Sequence, residues 1–391
     1  MNKNIYFDNA ATTRVKEEVV KAMEPYFTAV YGNPSSIHAF GREARKVIDQ
    51  ERAIIAEYLG AKPGEIFFTS SGSEADNWAI KGVAYSKAKK GKHIITSAIE
   101  HHAVLHTCQY MESKGYEVTY LPVDSYGRVS IDDLKNAIRK DTVLITIMYA
   151  NNEIGTIQPI SEIGEIARKY GITFHTDAVQ AVGSVPVNVN DLNIDMMSIS
   201  GHKFHAPKGI GVLYAKNRKV GDNLIHGGAQ ENNRRAGTEN IPYIVGLSKA
   251  LQIACDNMDS NKKHIINLRN DIMNFVSSNI EYVRLNGHPV ERLPGNINFS
   301  FEFIEGESLL LMLDMKGISA SSGSACTSGS LDPSHVLLAI GLSHEVAHGS
   351  IRFSLSDENT QEEVNYLKIV LPEIITNLRN ISPLYNSKKG R

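Results

Sequence analysis

Hydrophobic positions along the first two thirds of the chain fall into two alternating rhythms. Short apolar runs are followed by longer stretches with helical spacing. Glu65–Thr69 reads as a strand, Ser73–Ala88 as a helix, His93–Thr96 as a strand, and His101–Lys114 as a helix ended by Gly115. Val143–Tyr149 is mostly apolar and suits a strand buried on both faces. Ser161–Tyr170 is a helix stopped by Gly171, where a left-handed residue is favoured. Ile172–Thr176 and Asp195–Ile199 are two further strand-like runs. This alternation predicts an α/β fold with a mostly parallel sheet covered by helices. Ligands of such sheets bind beyond the carboxyl ends of the strands. The turn Thr69–Ser73, Asp177, Ser200, His202 and Lys203 all fall at or just past those ends.

After about residue 255 the rhythm changes. A long helix, Lys262–Ile280, is followed by separated strands such as Asn296–Phe301 and Ile351–Leu355, and Gln361–Asn380 reads as a last helix. The expected organisation is a large domain over residues 15–255 and a smaller α+β domain made of residues 1–14 and 256–391. Neither a Pro/Gly-rich linker nor a repeat marks the boundary.

The chemistry-bearing residues sit at the strand ends. Lys203 follows an apolar run and lies in Ser200-Gly201-His202-Lys203, among small and hydrogen-bonding residues. Asp177 ends a separate run. A lysine able to form a Schiff base and an acid able to pair with a pyridinium nitrogen are the minimum equipment of a pyridoxal-phosphate enzyme. An isolated lysine is more often a surface residue, and an isolated strand-end aspartate is as often a cap. Ser71-Gly72-Ser73-Glu74 has the S-x-x-E form of a capping box, and a helix start of this kind can also hold a phosphate. Cys326 lies within Ser321-Ser322-Gly323-Ser324-Ala325-Cys326-Thr327-Ser328, small polar residues that build no core. That context suits a loop (about 320–332) presenting a nucleophilic thiol. Cys108 and Cys255 lie in helical runs and read as packing residues. His102 and His106 have i, i+4 spacing without an obvious third metal ligand. His344-Glu345-Val346-Ala347-His348 matches a zinc-protease pattern. It is followed at once by Gly349-Ser350 and a strand, so the match reads as coincidental.

Composition narrows the classes. With 391 residues, 41 basic and 43 acidic side chains, the formal net charge is −2. The basic tail Lys388-Lys389-Gly390-Arg391 reads as a solvated tail and not as a nucleic-acid arm. The lack of an apolar stretch of roughly 20 residues argues against a membrane span. Three dispersed cysteines and no signal-like apolar start lead to the expectation of a cytoplasmic protein without disulfides.

Taken together, these strings closely resemble the cysteine desulfurases of the NifS/IscS type, among the fold-type I (aspartate aminotransferase-like) pyridoxal-phosphate enzymes. The resemblance runs through Tyr6–Thr13, Gly32–Ser36, Asn151–Gly155, Arg235–Asn240, Ser321–Ser328 and Ile351–Leu355. It implies pyridoxal 5'-phosphate attached to Lys203, which would also shuttle protons. Asp177 would pair with the ring nitrogen, Gln180 would touch the ring hydroxyl, and His101 would stack on the ring. Gly72, Ser73, Ser200 and His202 would hold the phosphate, and Thr238 would reach the phosphate of a second subunit, implying a homodimer. Asn152 and Arg352 would receive the carboxylate of the substrate, L-cysteine. The Cys326 thiolate would take the substrate sulfur as a persulfide, L-alanine would leave, and an iron-sulfur scaffold of the NifU/IscU type would accept the sulfur. Cys326 would also be a candidate ligand of a [2Fe-2S] cluster shared with that scaffold. Ala229 and Asp357 depart from the family pattern, which commonly has glycine and arginine there. Two rival readings are an aminotransferase of the same fold, which needs no Cys326, and a non-catalytic docking platform.

Overall fold

The computed structural model describes residues 4–322 and 333–389. Their strands are β1 (Ile5–Tyr6), β2 (Ile66–Thr69), β3 (His93–Ser97), β4 (Glu117–Leu121), β5 (Thr142–Thr146), β6 (Thr173–Asp177), β7 (Met196–Ser200), β8 (Gly211–Ala215), β9 (Val283–Asn286), β10 (Asn296–Phe301), β11 (Ile318–Ser319) and β12 (Ser350–Ser354). β2 to β8 form a seven-stranded sheet in the order β2-β8-β7-β6-β5-β3-β4. The pairs β3/β4, β3/β5, β5/β6 and β6/β7 are parallel. β8 runs antiparallel to both of its neighbours, β7 and β2. The sheet is therefore mixed and mostly parallel, as the alternating pattern predicts.

Adjacent residues of one strand point to opposite faces, and here both faces are covered. Ile66, Phe68, Met197 and Ile199 join one core with the helices Ala39–Leu59, Ile160–Tyr170 and Ile241–Asp256. Phe67 and Met196 join another core with Trp78 and Val83 of helix Gly72–Ser86 and Val104 and Met111 of helix His102–Ser113. Burial on both faces explains why these strands read as continuous apolar runs.

A further core gathers Ile5 and Phe7 with β10, β12 and the helices Met258–Asn279 and Gln361–Ile381. Its sheet has the order β12-β10-β9 and is antiparallel, with Asn298 opposite Arg352. β1 pairs with β11 in parallel.

Several boundaries differ from the sequence pattern. The run predicted as Val143–Tyr149 is a strand only to Thr146, although Ile147 N and Tyr149 N still donate to the carbonyls of His175 (3.2 Å) and Asp177 (2.8 Å), while Met148 N donates to the Glu100 carboxylate (2.9 Å). Helix Met258–Asn279 starts before the predicted Lys262, being separated from the preceding helix by Asn257 alone. Gly171 does adopt the left-handed conformation at φ 64°. The capping box at Ser71 is half formed. Ser71 Oγ accepts from Glu74 N (3.1 Å), but the Glu74 carboxylate accepts from Ser70 N (2.8 Å) instead of closing back on Ser71.

Candidate active site

The carboxyl ends of β2, β6 and β7 open on a cavity of about 350 Å³. Its lining includes Gly72, Ser73, His101, Asn152, Asp177 and Gln180, together with Ser200, His202, Lys203 and Arg352. These ten positions, expected from the sequence to share a site, do come together. Thr238 does not line it. It is exposed, in a loop tethered to the start of helix Gly72–Ser86 by a bidentate pair between Arg235 and Glu74 (2.8 and 3.0 Å). Cys326, expected as the reactive thiol and candidate cluster ligand, lies outside the described residues. Among the described residues no group of three or more His, Cys, Asp or Glu is placed to hold a metal ion. The His344–His348 helix is five residues long and passes through Gly349 into β12, which leaves no sustained helical face for a zinc site. Cys108 is fully buried, in keeping with a packing role.

Each cavity residue is held by local structure. Lys203 closes the short turn Gly201–Lys203 after β7, and its Nζ donates to the carbonyls of Ala10 (2.6 Å) and Ala11 (2.8 Å). Gln180 Nε2 donates to the same Ala10 carbonyl (3.0 Å). His202 Nδ1 faces Thr12 Oγ1 at 3.1 Å. Ala10 and Ala11 thus form one wall of the cavity. Asp177 is the last residue of β6, and its Oδ1 accepts from Val179 N (2.9 Å). His101 is the N-cap of helix His102–Ser113, with Nδ1 accepting from Ala103 N (3.1 Å).

The start of helix Gly72–Ser86 fits an anion. The amides of Gly72 and Ser73 precede its first intrahelical bond, from Ala75 N to Ser71 O (3.2 Å). Such amides, with the helix dipole, attract negative charge. Gly72 is needed for close approach: a Cβ there would meet Val179 Cγ2 at 2.7 Å and Ser200 Cβ at 3.3 Å.

Burial sets the protonation states. It pushes His101 down to about 4, helped by the charge of Lys203, and His202 down to about 4 for the same reasons. Both rings are neutral near pH 7. Burial pushes the Asp177 carboxyl up, opposed by the Val179 amide and by Lys203. A cation against Asp177 would reverse that shift.

Two buried carboxyls, Asp76 and Glu100, escape the sequence reading. Asp76, on helix Gly72–Ser86, lines the cavity, and burial with the nearby Asp177 charge raises its carboxyl well above normal. Its Oδ1 lies 3.7 Å from Nε2 of His175, a ring that burial drives down to about 3. Glu100, beside His101, accepts from Ser97 Oγ (2.6 Å) and Met148 N, and burial lifts it to about 8. The one signal for Glu100 was its place between an apolar strand and the histidine pair. Asp76 offered no signal, because its spacing is that of an ordinary helix residue.

Arg352 enters from the further core. It is buried, donating from Nη1 to the Asn152 carbonyl (3.0 Å) and from Nη2 to Asp8 Oδ1 (2.9 Å). Its Nε is buried without a hydrogen-bond partner among the described residues. Asp357, the departure noted in the sequence, pairs with Lys16 (2.5 Å) and faces His205 (3.4 Å).

The residues present fit pyridoxal phosphate: an amine, a buried carboxylate, a neutral ring and an anion cradle that a Cβ would fill. Comparison with known proteins agrees. The aminotransferase class-V model matches residues 5–367. The chain is 58% identical over 383 residues to a protein of Methanosarcina thermophila named cysteine desulfurase IscS, covering 98% of this chain and 95% of that one. It superposes on a structure titled NifS-like protein with a TM-score of 0.90 and 40% identity, covering 96% and 100% of the two chains. A structure of SspA in complex with cysteine matches with a TM-score of 0.80 and 40% identity, over 91% and 100%. Fold, cavity and similarity together make this chain a member of the class-V aminotransferase family.

Proposed function

We propose that the chain is a pyridoxal-phosphate-dependent cysteine desulfurase, converting L-cysteine to L-alanine and passing the sulfur on for iron-sulfur cluster assembly. The observation that carries this is the meeting of Lys203, Asp177, His101 and Arg352 around one cavity beside the Gly72–Ser73 helix start. Pockets of about 300–1,000 Å³ hold small ligands, and this one is in that range.

When bound, pyridoxal phosphate supplies an electron sink for the substrate's carbon skeleton. The chain supplies the rest. Gly72, Ser73, Ser200 and His202 hold the phosphate. Asp177 would keep a proton on the ring nitrogen by opposing its charge, and Gln180 would contact the ring hydroxyl. His101, neutral near pH 7, would stack on the ring. Lys203 is the attachment point and carries protons at its Nζ. Arg352 and Asn152 orient the substrate carboxylate; a guanidinium suits that task because it binds two oxygens at once.

Cys326 is the sulfur acceptor in this reading. Its thiolate attacks the substrate sulfur, an S–S bond forms, and the electron pair of the broken C–S bond stays with the carbon. That carbon then takes a proton, and L-alanine leaves. The ends of the segment support such a route. Ser321 exchanges backbone hydrogen bonds with Arg352 (2.6 and 3.1 Å), and His335 Nε2 bonds the Glu100 carbonyl (3.0 Å). Both anchors adjoin the cavity.

A homodimer, with Thr238 completing the phosphate site of a second subunit, and a NifU/IscU-type sulfur acceptor belong to the same proposal. The exposure of Thr238 on a tethered loop favours it. The division into a large domain, residues 15–255, and a small domain, residues 1–14 and 256–391, that brings Arg352 to the cavity is part of the same proposal.

The test is the product. Purified protein loaded with cofactor should form L-alanine from L-cysteine, and Cys326→Ser should abolish turnover. Unchanged turnover in that variant would favour an aminotransferase-like reaction instead.

A further inference from the structure

His205, two residues past Lys203, has φ 69°. This is the left-handed region, which a side chain with a Cβ avoids. Such strain persists only where the surroundings over-determine it, and it concentrates at functional sites. The surroundings here are specific. His205 N donates to Thr13 Oγ1 (2.8 Å), and Lys16 N donates to the His205 carbonyl (3.3 Å). The ring Nδ1 meets the Arg14 carbonyl at 2.8 Å, so it carries the proton there. The other ring nitrogen faces Asp357 Oδ1 at 3.4 Å, while Asp357 Oδ2 accepts from Lys16 Nζ at 2.5 Å.

Asp357 is well placed to act through that ring. It follows β12, the strand that carries Arg352 into the cavity. Burial raises its carboxyl, but the bonds from His205 and Lys16 outweigh burial and hold it far below the usual carboxylate range. A second cavity of about 110 Å³ lies on this side, lined by Lys16, Lys203, His205, Asn261 and Asp357 among others. The turn therefore has space to relax if its tether is cut.

We propose that Asp357 is a positioning residue: with Lys16 it holds the His205 imidazole, which locks the strained turn that aims the Lys203 amine. This rests on the reading of Lys203 as the attachment residue. Asp357 touches neither substrate nor cofactor. Its effect reaches the site through the backbone between Lys203 and His205.

The test uses the full chain freed of cofactor. Pyridoxal phosphate is added, covalent attachment at Lys203 is trapped with borohydride at timed intervals, and the adduct is mapped. Asp357→Asn is expected to slow attachment about tenfold. The double variant Asp357→Asn/His205→Gly is expected to recover part of that rate, because glycine adopts the turn without strain. Equal slowness of single and double variants, or a wild-type rate in Asp357→Asn, overturns the proposal. If Asp357→Asn does not fold, His205→Gly and His205→Ala decide the matter: glycine should attach faster than alanine, and equal rates overturn it. An adduct at Lys203 of the wild type that no variant slows defeats only the positioning claim. Absence of that adduct in the wild type defeats the reading of the site itself.

Discussion

Lys203 and Arg352 line one cavity but arrive by different routes. Lys203, Asp177 and Gly72 follow directly from strands of the seven-stranded sheet, within a few residues of the strand that positions each. Arg352 comes from the antiparallel sheet of the further core, and its partners are Asp8 and Asn152, distant in the chain. The difference is one of contact range. The sheet side is built by local strand-to-turn geometry, whereas the Arg352 side exists only once two cores have docked. In the proposed enzyme, the first side holds the cofactor and the second selects the substrate.

The sharpest break of that division is Lys203→Ala. It should remove every borohydride-trapped adduct and lower L-alanine formation by on the order of 10³-fold. Next is Arg352→Gln, expected to raise KM for L-cysteine about 10- to 100-fold while cofactor affinity stays within about twofold. A parallel loss of cofactor affinity would erase the distinction between the two sides. Asp8→Asn in the same background controls for the half-buried carboxylate left without its guanidinium. Gly72→Ala should do the opposite of Arg352→Gln, weakening cofactor binding about tenfold through the Val179 clash and leaving KM little changed. Equilibrium dialysis and steady-state kinetics on the same preparations separate the three.

The smallest effect concerns stability. Folding raises Glu100 from an ordinary value of 4.5 to about 8 by burial. Between those values the folded chain keeps a proton that the unfolded chain has lost. The contribution of this carboxyl is therefore fully present below pH 4.5 and is lost as pH rises through about 8. Glu100→Gln should hold its melting temperature more steadily than wild type from about pH 5 to pH 8.5. Parallel melting profiles would show that Glu100 does not titrate in this range.

Legibility in the sequence followed the same division. The alternating rhythm announces the parallel sheet, and strand-end placement puts Asp177, Ser200, His202 and Lys203 at one edge. Arg352 and Asn152 entered only through family resemblance, since nothing in their local spacing links them. The reversed direction of β8 was not legible either, because a short apolar strand reads the same in both directions. The Ala10–Ala11 wall over Lys203 was invisible for a related reason. It is made of backbone carbonyls, which any residue could provide. Nothing in the local sequence of Asp8 or Asp357 names a partner; folding places Arg352 against the first and Lys16 and His205 against the second.

The central claim is that this cavity holds pyridoxal phosphate through a covalent bond to one lysine. Borohydride reduction of the purified protein, followed by mass mapping of the modified peptide, tests it directly. A single reduced adduct on Lys203 is expected; an adduct on another lysine, or none after incubation with the cofactor, would rule out Lys203 as the attachment point.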